Sequence, residues 1–175
     1  MGVEIERKFL VTSDAWRTMA NPPEGVVLRQ GYLSSAPGRT VRVRLAGSRG
    51  YLTIKGPADP TGVSREEFEY EIPARDAAQM LERLCVGPVV EKTRYRVPAA
   101  GSGTGGRPLV FEVDVFAGEN AGLVLAEVEL SAPDQAFARP AWLGAEVSAD
   151  PRYRNSNLAA RPYRTWSGTD GAASG

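Results

Sequence analysis

Six short stretches of this chain alternate charged and apolar residues at period two, and within each stretch the charges are mostly of one sign. Glu4, Glu6 and Lys8 alternate with Ile5 and Phe9, and Arg42 and Arg44 alternate with Val41, Val43 and Leu45. Glu67, Glu69 and Glu71 alternate with Phe68, Tyr70 and Ile72. Lys92, Arg94 and Arg96 alternate with Thr93, Tyr95 and Val97, Glu112 and Asp114 with Val113 and Val115, and Glu127 and Glu129 with Val128 and Leu130. Period two is the signature of a β-strand, whose successive side chains point to opposite faces about 6–7 Å apart along the same face. A solubilising surface intersperses signs. Rows of like charge repel and need counter-charge, which cations supply to carboxylates and oxyanions supply to bases.

The remaining segments fill in around these strands. Ser13-Asp14 predicts a short capped helix to about Ala20, stopped by Asn21-Pro22-Pro23. Val26 to Leu33 reads as a strand, Pro37-Gly38 as a turn, and Tyr51 to Lys55 as a strand that puts Lys55 on one face with Tyr51 and Thr53. Pro73 followed by Ala77, Met80, Leu81 and Leu84 predicts a helix over 74–84. Val89 to Val97 reads as a strand, and Pro98 to Pro108, rich in glycine and serine, as a flexible hairpin loop. That glycine run lacks the lysine and following helix of a phosphate-binding P-loop. Ala132 to Ala138 is expected to form a helical turn or two, and Tyr153 to Ala159 a last short helix. Thr165 to Gly175 is polar and glycine-rich and is expected to be a disordered tail, leaving 1–164 as one domain.

Whole-chain composition excludes several functions. Lysine plus arginine and aspartate plus glutamate each number 21, so there is no net field to attract nucleic acid or an anionic membrane, and any basic site is local. There is no histidine, which removes histidine-based triads, histidine metal ligands and histidine acid–base chemistry. The single cysteine, Cys85, cannot form an intramolecular disulfide, and with no apolar leader before Glu4 and no membrane-length apolar run a cytoplasmic setting is expected.

About eight mostly antiparallel strands with three or four helices give an α+β fold. The alternating strands can form a sheet with one wet face, or an eight-stranded closed antiparallel barrel with charges inside and flanking helices outside. In the barrel, Ile5, Val43, Phe68, Tyr70, Val113 and Val128 would face a helical layer. Interior charges must be paired or ligated. Nine acids (Glu4, Glu6, Glu67, Glu69, Glu71, Glu112, Asp114, Glu127, Glu129) argue for a metal, and hard oxygen ligands select Mg2+ or Mn2+. Seven bases (Lys8, Arg42, Arg44, Lys55, Lys92, Arg94, Arg96) argue for a polyanion, since arginine forks match phosphate oxygens in pairs. A metal-complexed polyphosphate satisfies both.

Glu4-Ile5-Glu6-Arg7-Lys8 resembles the ExExK signature of the CYTH superfamily, the triphosphate tunnel metalloenzymes. The resemblance runs from Val3 to about Leu158 and includes Arg42/Arg44, Lys55 in Thr-Ile-Lys-Gly, Glu67/Glu69, Lys92-x-Arg94 and Glu127-x-Glu129, in the family's order. It implies an eight-stranded antiparallel tunnel that hydrolyses or cyclises triphosphates with divalent metal. Segments 28–34, 91–95 and 111–118 are most similar to the small bacterial inorganic tripolyphosphatases. Adenylate cyclase, thiamine triphosphatase, nucleoside triphosphatase and a non-catalytic polyphosphate-binding module remain alternatives on the same scaffold.

Residue by residue, the resemblance implies Glu4, Glu6, Glu127 and Glu129 as metal ligands, joined by Glu67, Glu69 and Asp114. It implies Lys8, Arg42, Arg44, Lys55, Lys92 and Arg94 as phosphate ligands. Glu4, Glu6, Lys8, Lys55 and Lys92 are the expected catalytic set. Arg29, Glu71, Glu112 and Arg96 fit either the tunnel or the surface. The expected partner is a small-molecule triphosphate, with neither nucleic acid nor membrane, and the chain is expected to be a monomer or homodimer.

Overall fold

The computed structural model describes residues 2–36, 38–61, 63–102, 106 and 108–166. Nine strands form one sheet: β1 (Gly2–Val11), β2 (Val26–Ser34), β3 (Thr40–Ala46), β4 (Arg49–Lys55), β5 (Ser64–Ile72), β6 (Val90–Ser102), β7 (Pro108–Phe116), β8 (Val124–Glu129) and β9 (Leu143–Glu146). Their order is β5-β4-β3-β2-β6-β7-β8-β1-β9, and β1 also pairs with β5. That extra pairing, Gly2 opposite Glu67 through Ile5 opposite Ser64, closes β1 to β8 into an antiparallel barrel. The short β9 is a ninth strand that the sequence pattern did not show. It adds to the far half of β1, with Phe9 opposite Glu146 and Val11 opposite Leu143.

Closure sends the alternating rows to opposite sides of one wall. Outside, Phe9, Phe111, Val113 and Val128 are buried beneath Trp16 and Trp142, with Phe137 packed alongside. The Trp16 ring lies 5.0 Å from that of Tyr95, and Phe111 meets Trp142 edge-on at 5.2 Å. A second layer is α1 (Ala74–Arg83), which buries Ala77 and Leu81 against Val43. The approach of α1 requires a residue without a side chain at Gly50. A Cβ there would stand 2.8 Å from the Ala77 Cβ and 2.9 Å from the Ile72 carbonyl oxygen.

The helical cover is thinner than the alternation implies. Val43 alone of the six expected outward residues packs in the cluster under α1. Val113 and Val128 lie beneath irregular chain, and Tyr70 is 56 % exposed on an uncovered stretch of β4–β5 with Ile54. Residues 14–19 form a 3-10 helix rather than an α-helix, and Ser13 makes no side-chain cap. Residues 132–138, with Pro133 inside the segment and Pro140 beyond it, form turns and irregular chain rather than a helix. The glycine-rich loop is also shorter than expected: β6 continues past Pro98 to Ser102, opposite Pro108, with a register irregularity that accommodates the proline.

One end of the barrel is closed from within. The inward row on each of four strands changes from charged to apolar: Lys8 to Leu10, Lys92 to Val90, Asp114 to Phe116, and Glu127 to Leu125. Val90, Phe116 and Leu125 pack with Tyr153, Leu158 and Ala159, where the last two belong to α2 (Asn155–Ala160). Tyr163 and Trp166 pack on this cluster, the Trp166 ring 5.2 Å from that of Tyr153. The expected tail falls mostly on residues 167–175, outside the described residues.

Candidate active site

Above that apolar ring the barrel encloses a cavity of about 660 Å3. Its charged lining comprises Glu4, Glu6 and Lys8 from β1, Arg42 and Arg44 from β3, and Lys55 from β4. Arg65, Glu67 and Glu69 come from β5, Arg94 and Arg96 from β6, Glu112 from β7, Glu127 and Glu129 from β8, and Arg154 from the approach to α2. That is eight cations against seven carboxylates. A wall so nearly neutral cannot itself balance a polyphosphate, so added cations must accompany such a ligand.

The charges fall into three groups. In the first, Glu4 accepts from Lys55 Nζ at 2.9 Å and Arg65 Nε at 2.8 Å, while Lys55 also reaches Glu67 at 2.9 Å. Burial alone would raise the Glu4 pKa, but the two cations hold it well below the usual carboxylate range. Burial raises Glu67. In the second, Glu69 accepts from Arg44 at 3.0 Å, Arg42 at 3.4 Å and Thr53 at 2.8 Å. The Nε atoms of Arg42 and Arg44 are buried with no hydrogen-bond partner among the described residues, and burial together with the neighbouring Arg42 lowers the Arg44 pKa. Both arginines line the cavity, where their guanidinium groups can meet oxyanion acceptors.

In the third group, Lys8 Nζ lies 2.8 Å from Glu127 and 3.7 Å from Glu6. Arg94 donates to Glu127 and Asp114 at 2.7 Å and also to Glu112. Against the cost of burial, Lys8 and Arg94 hold Glu127 well below its ordinary pKa, and Glu127 and Glu6 raise that of Lys8. Glu6 has the opposite fate. Burial and the nearby Glu127 and Glu4 carboxylates push it up to about 7.

Eleven of the thirteen expected site residues meet in this cavity. Lys92 and Asp114 are absent from its lining. They pair with each other at 2 % and 0 % exposure, and Lys92 Nζ also donates to Asn155 Oδ1 at 3.3 Å. Of the four ambiguous residues, Arg96 and Glu112 line the cavity. Arg29 pairs with Glu91 and Glu71 with Arg49 on the outer surface. The sequence reading missed Arg65, Thr40, Tyr32, Arg154, Asn155 and Ser156. Arg65 shares the parity of Glu67 and Glu69, and Thr40 that of Arg42 and Arg44, so both were available to the period-two argument. Tyr32 lies on a strand with no charge alternation, and Arg154 to Ser156 reach the cavity from outside the barrel.

A divalent cation fits the donor set, though not as a preformed cage. Among the described residues no three acidic side chains converge as a ready metal site. Mg2+ is characteristically held by one or two carboxylates plus substrate phosphates. The best such pair is Glu6 and Glu129, directly opposite each other on β1 and β8 and both facing the cavity. Glu129 has no ion pair among the described residues, and Glu6 has only the long contact to Lys8.

A family model described as the CYTH domain matches residues 2–163. The chain belongs to the CYTH family. Among CYTH relatives, it is 48 % identical over 166 residues to an inorganic triphosphatase of Acetivibrio thermocellus, covering 95 % of this chain and 99 % of that protein. It is 41 % identical over 163 residues to an inorganic triphosphatase of Nitrosomonas europaea, covering 89 % and 96 % respectively. A crystal structure of an inorganic triphosphatase superposes with a TM-score of 0.56 at 38 % identity, covering 91 % of this chain and 95 % of that one. A Pyrococcus horikoshii protein at 23 % identity, with a TM-score of 0.56 over 75 % of this chain and 81 % of that one, shares the fold.

Proposed function

We propose that this CYTH protein hydrolyses inorganic triphosphate to pyrophosphate and phosphate with the help of Mg2+ or Mn2+. The observation that carries the reading is one cavity lined both by Arg42 and Arg44 and by the carboxylate pair Glu6 and Glu129. The names of the two relatives above, each matched over nearly its whole length, support it. Among the described residues Tyr32 is the only aromatic residue in the cavity lining, and at 8 % exposure it presents little face for a nucleobase to stack on, which favours inorganic triphosphate over nucleotides.

Each residue then has work suited to its environment. Arg42 and Arg44 bind phosphate oxygens through the edges that Glu69 leaves open. Lys8, whose pKa is raised, stays an ammonium and serves as fixed charge rather than as a base. Lys55 holds Glu4 and Glu67 together and offers its charge to the same space. Lys92 sits behind the wall and, through the Asp114 that it shares with Arg94, orients that guanidinium. Glu6 and Glu129, with Glu4, Glu67, Glu69 and Glu127 around them, are the oxygens that would hold the cation. When bound, such a cation neutralises phosphate charge and lowers the pKa of a coordinated water. The protein's own part is positioning and charge stabilisation, the usual division of labour in phosphoryl transfer.

The test is phosphate release from inorganic triphosphate with Mg2+, Mn2+ or a chelator. Release that persists undiminished in chelator removes the metal from the proposal, and no release with either ion removes the reaction.

A further inference from the structure

The cations facing the cavity differ in whether the barrel has already neutralised them. Lys8, Arg42, Arg44, Lys55, Arg65 and Arg94 each form an ion pair with a carboxylate of the wall. A phosphate approaching any of these must share the cation with a glutamate or displace it, which reduces the gain on binding. Two cations escape this cost: among the described residues, Arg96 and Arg154 have no ion pair. Arg96 is exposed, where water screens its charge. Arg154 is half-buried and faces the cavity at its closed end.

The backbone of Arg154 is fixed while its guanidinium is uncommitted. Its N–H donates to the Pro151 carbonyl at 3.1 Å, and its carbonyl accepts from Asn157 and Leu158 at 2.9 Å each. Tyr153 before it and Leu158 after it are buried in the apolar ring. The chain leading to it is tied to β1, since Val147 donates to the Lys8 carbonyl at 2.8 Å and Lys8 N–H donates to Ser148 Oγ at 2.9 Å. Arg154 thus enters beside Lys8, and it also lines a smaller cavity of about 30 Å3 with Glu6, Lys8 and Arg65. An arginine anchored at the backbone and, among the described residues, without an ion pair is available to bind an anion.

We propose that Arg154 is a phosphate-binding residue supplied from outside the barrel, contacting the triphosphate phosphate nearest α2. The inference rests on the triphosphate reading above and extends it to a residue outside the alternating strands. Because the contact is already available in the ground state, its loss weakens binding more than it slows turnover.

The experiment compares wild type with Arg154→Ala, Arg154→Gln and Arg154→Lys by calorimetric binding of inorganic triphosphate with Mg2+ and by steady-state hydrolysis. Loss of one charge-assisted phosphate contact should raise Kd and KM about ten- to a hundred-fold, with kcat changed far less. Arg154→Lys should recover part of the affinity. Thermal stability should hold in all three variants, as there is no ion pair to lose. Kd and KM within twofold of wild type in both Arg154→Ala and Arg154→Gln overturn the inference, as does a loss confined to kcat. A wild-type protein that binds but does not hydrolyse triphosphate instead overturns the proposed reaction, and the Kd comparison still decides the role of Arg154.

Discussion

Glu6 and Glu129 are direct cross-strand partners on β1 and β8, two carboxylates facing one cavity from neighbouring strands. Like charges in that position oppose folding by about 0.2–1 kcal/mol, and a bound cation reverses the sign. Glu129→Gln should therefore raise the melting temperature in chelator while lowering kcat and weakening the response to metal. Melting curves with and without Mg2+, paired with kinetics over a metal series, check both effects. If the variant keeps wild-type turnover at limiting metal, the pair does not hold the cation.

The environment of Glu6 gives a pH signature in metal-free protein. Its pKa is raised from 4.5 to about 7, so folding favours the protonated form. That contribution is complete below about pH 4.5 and is lost as pH rises through about 7. It amounts to on the order of 3 kcal/mol. Unfolding in chelator between pH 5 and 8 should show wild type losing stability relative to Glu6→Gln across this window. A pH-independent difference between the two would contradict the assignment.

Much of the barrel was legible because period two is unusually clean in strands such as β1 and β5. Once like charges share a face, closure is the arrangement that provides them with counter-charge. Three things were hidden for physical reasons. The apolar ring at Leu10, Val90, Phe116 and Leu125 continues the charged rows by parity, but only the position of α2 shows that it is a floor rather than an end. Tyr70 follows the outward pattern yet remains uncovered, because alternation specifies a face and not what packs on it. Lys92 has the same parity as Arg94, but its depth along the barrel, next to Asn155, withdraws it from the cavity.

That depth gives Lys92 a testable role. Removing one partner of a buried ion pair costs about 3–5 kcal/mol when the other charge is left uncompensated, but Asp114 also accepts from Arg94 Nε and Nη2 at 2.7 Å each, so the cost of losing Lys92 lies below that. Lys92→Met should lower stability by about 1–3 kcal/mol, and adding Asp114→Asn should lower it further, because Arg94 then loses its buried partner. Urea unfolding of the single and double variants measures this. A Lys92→Met protein of wild-type stability that has lost triphosphate binding would place Lys92 on the substrate instead.

Arg42 lies among Thr53, Glu67 and Glu69 and lines the cavity. Arg42→Ala should lower kcat/KM by roughly ten- to a hundred-fold, mainly through KM. Arg42→Lys should restore only part, because an ammonium cannot make the bidentate fork. Steady-state kinetics on inorganic triphosphate distinguishes the two variants. Equal rescue by lysine would reduce Arg42 to a point charge.

The most direct test of the cavity as an inorganic triphosphate site is kcat/KM for inorganic triphosphate and for ATP, measured side by side with Mg2+ and with Mn2+. The expected result is a clear preference for inorganic triphosphate, with phosphate and pyrophosphate as products. Equal or better turnover of ATP, or cyclic nucleotide among the products, would contradict it.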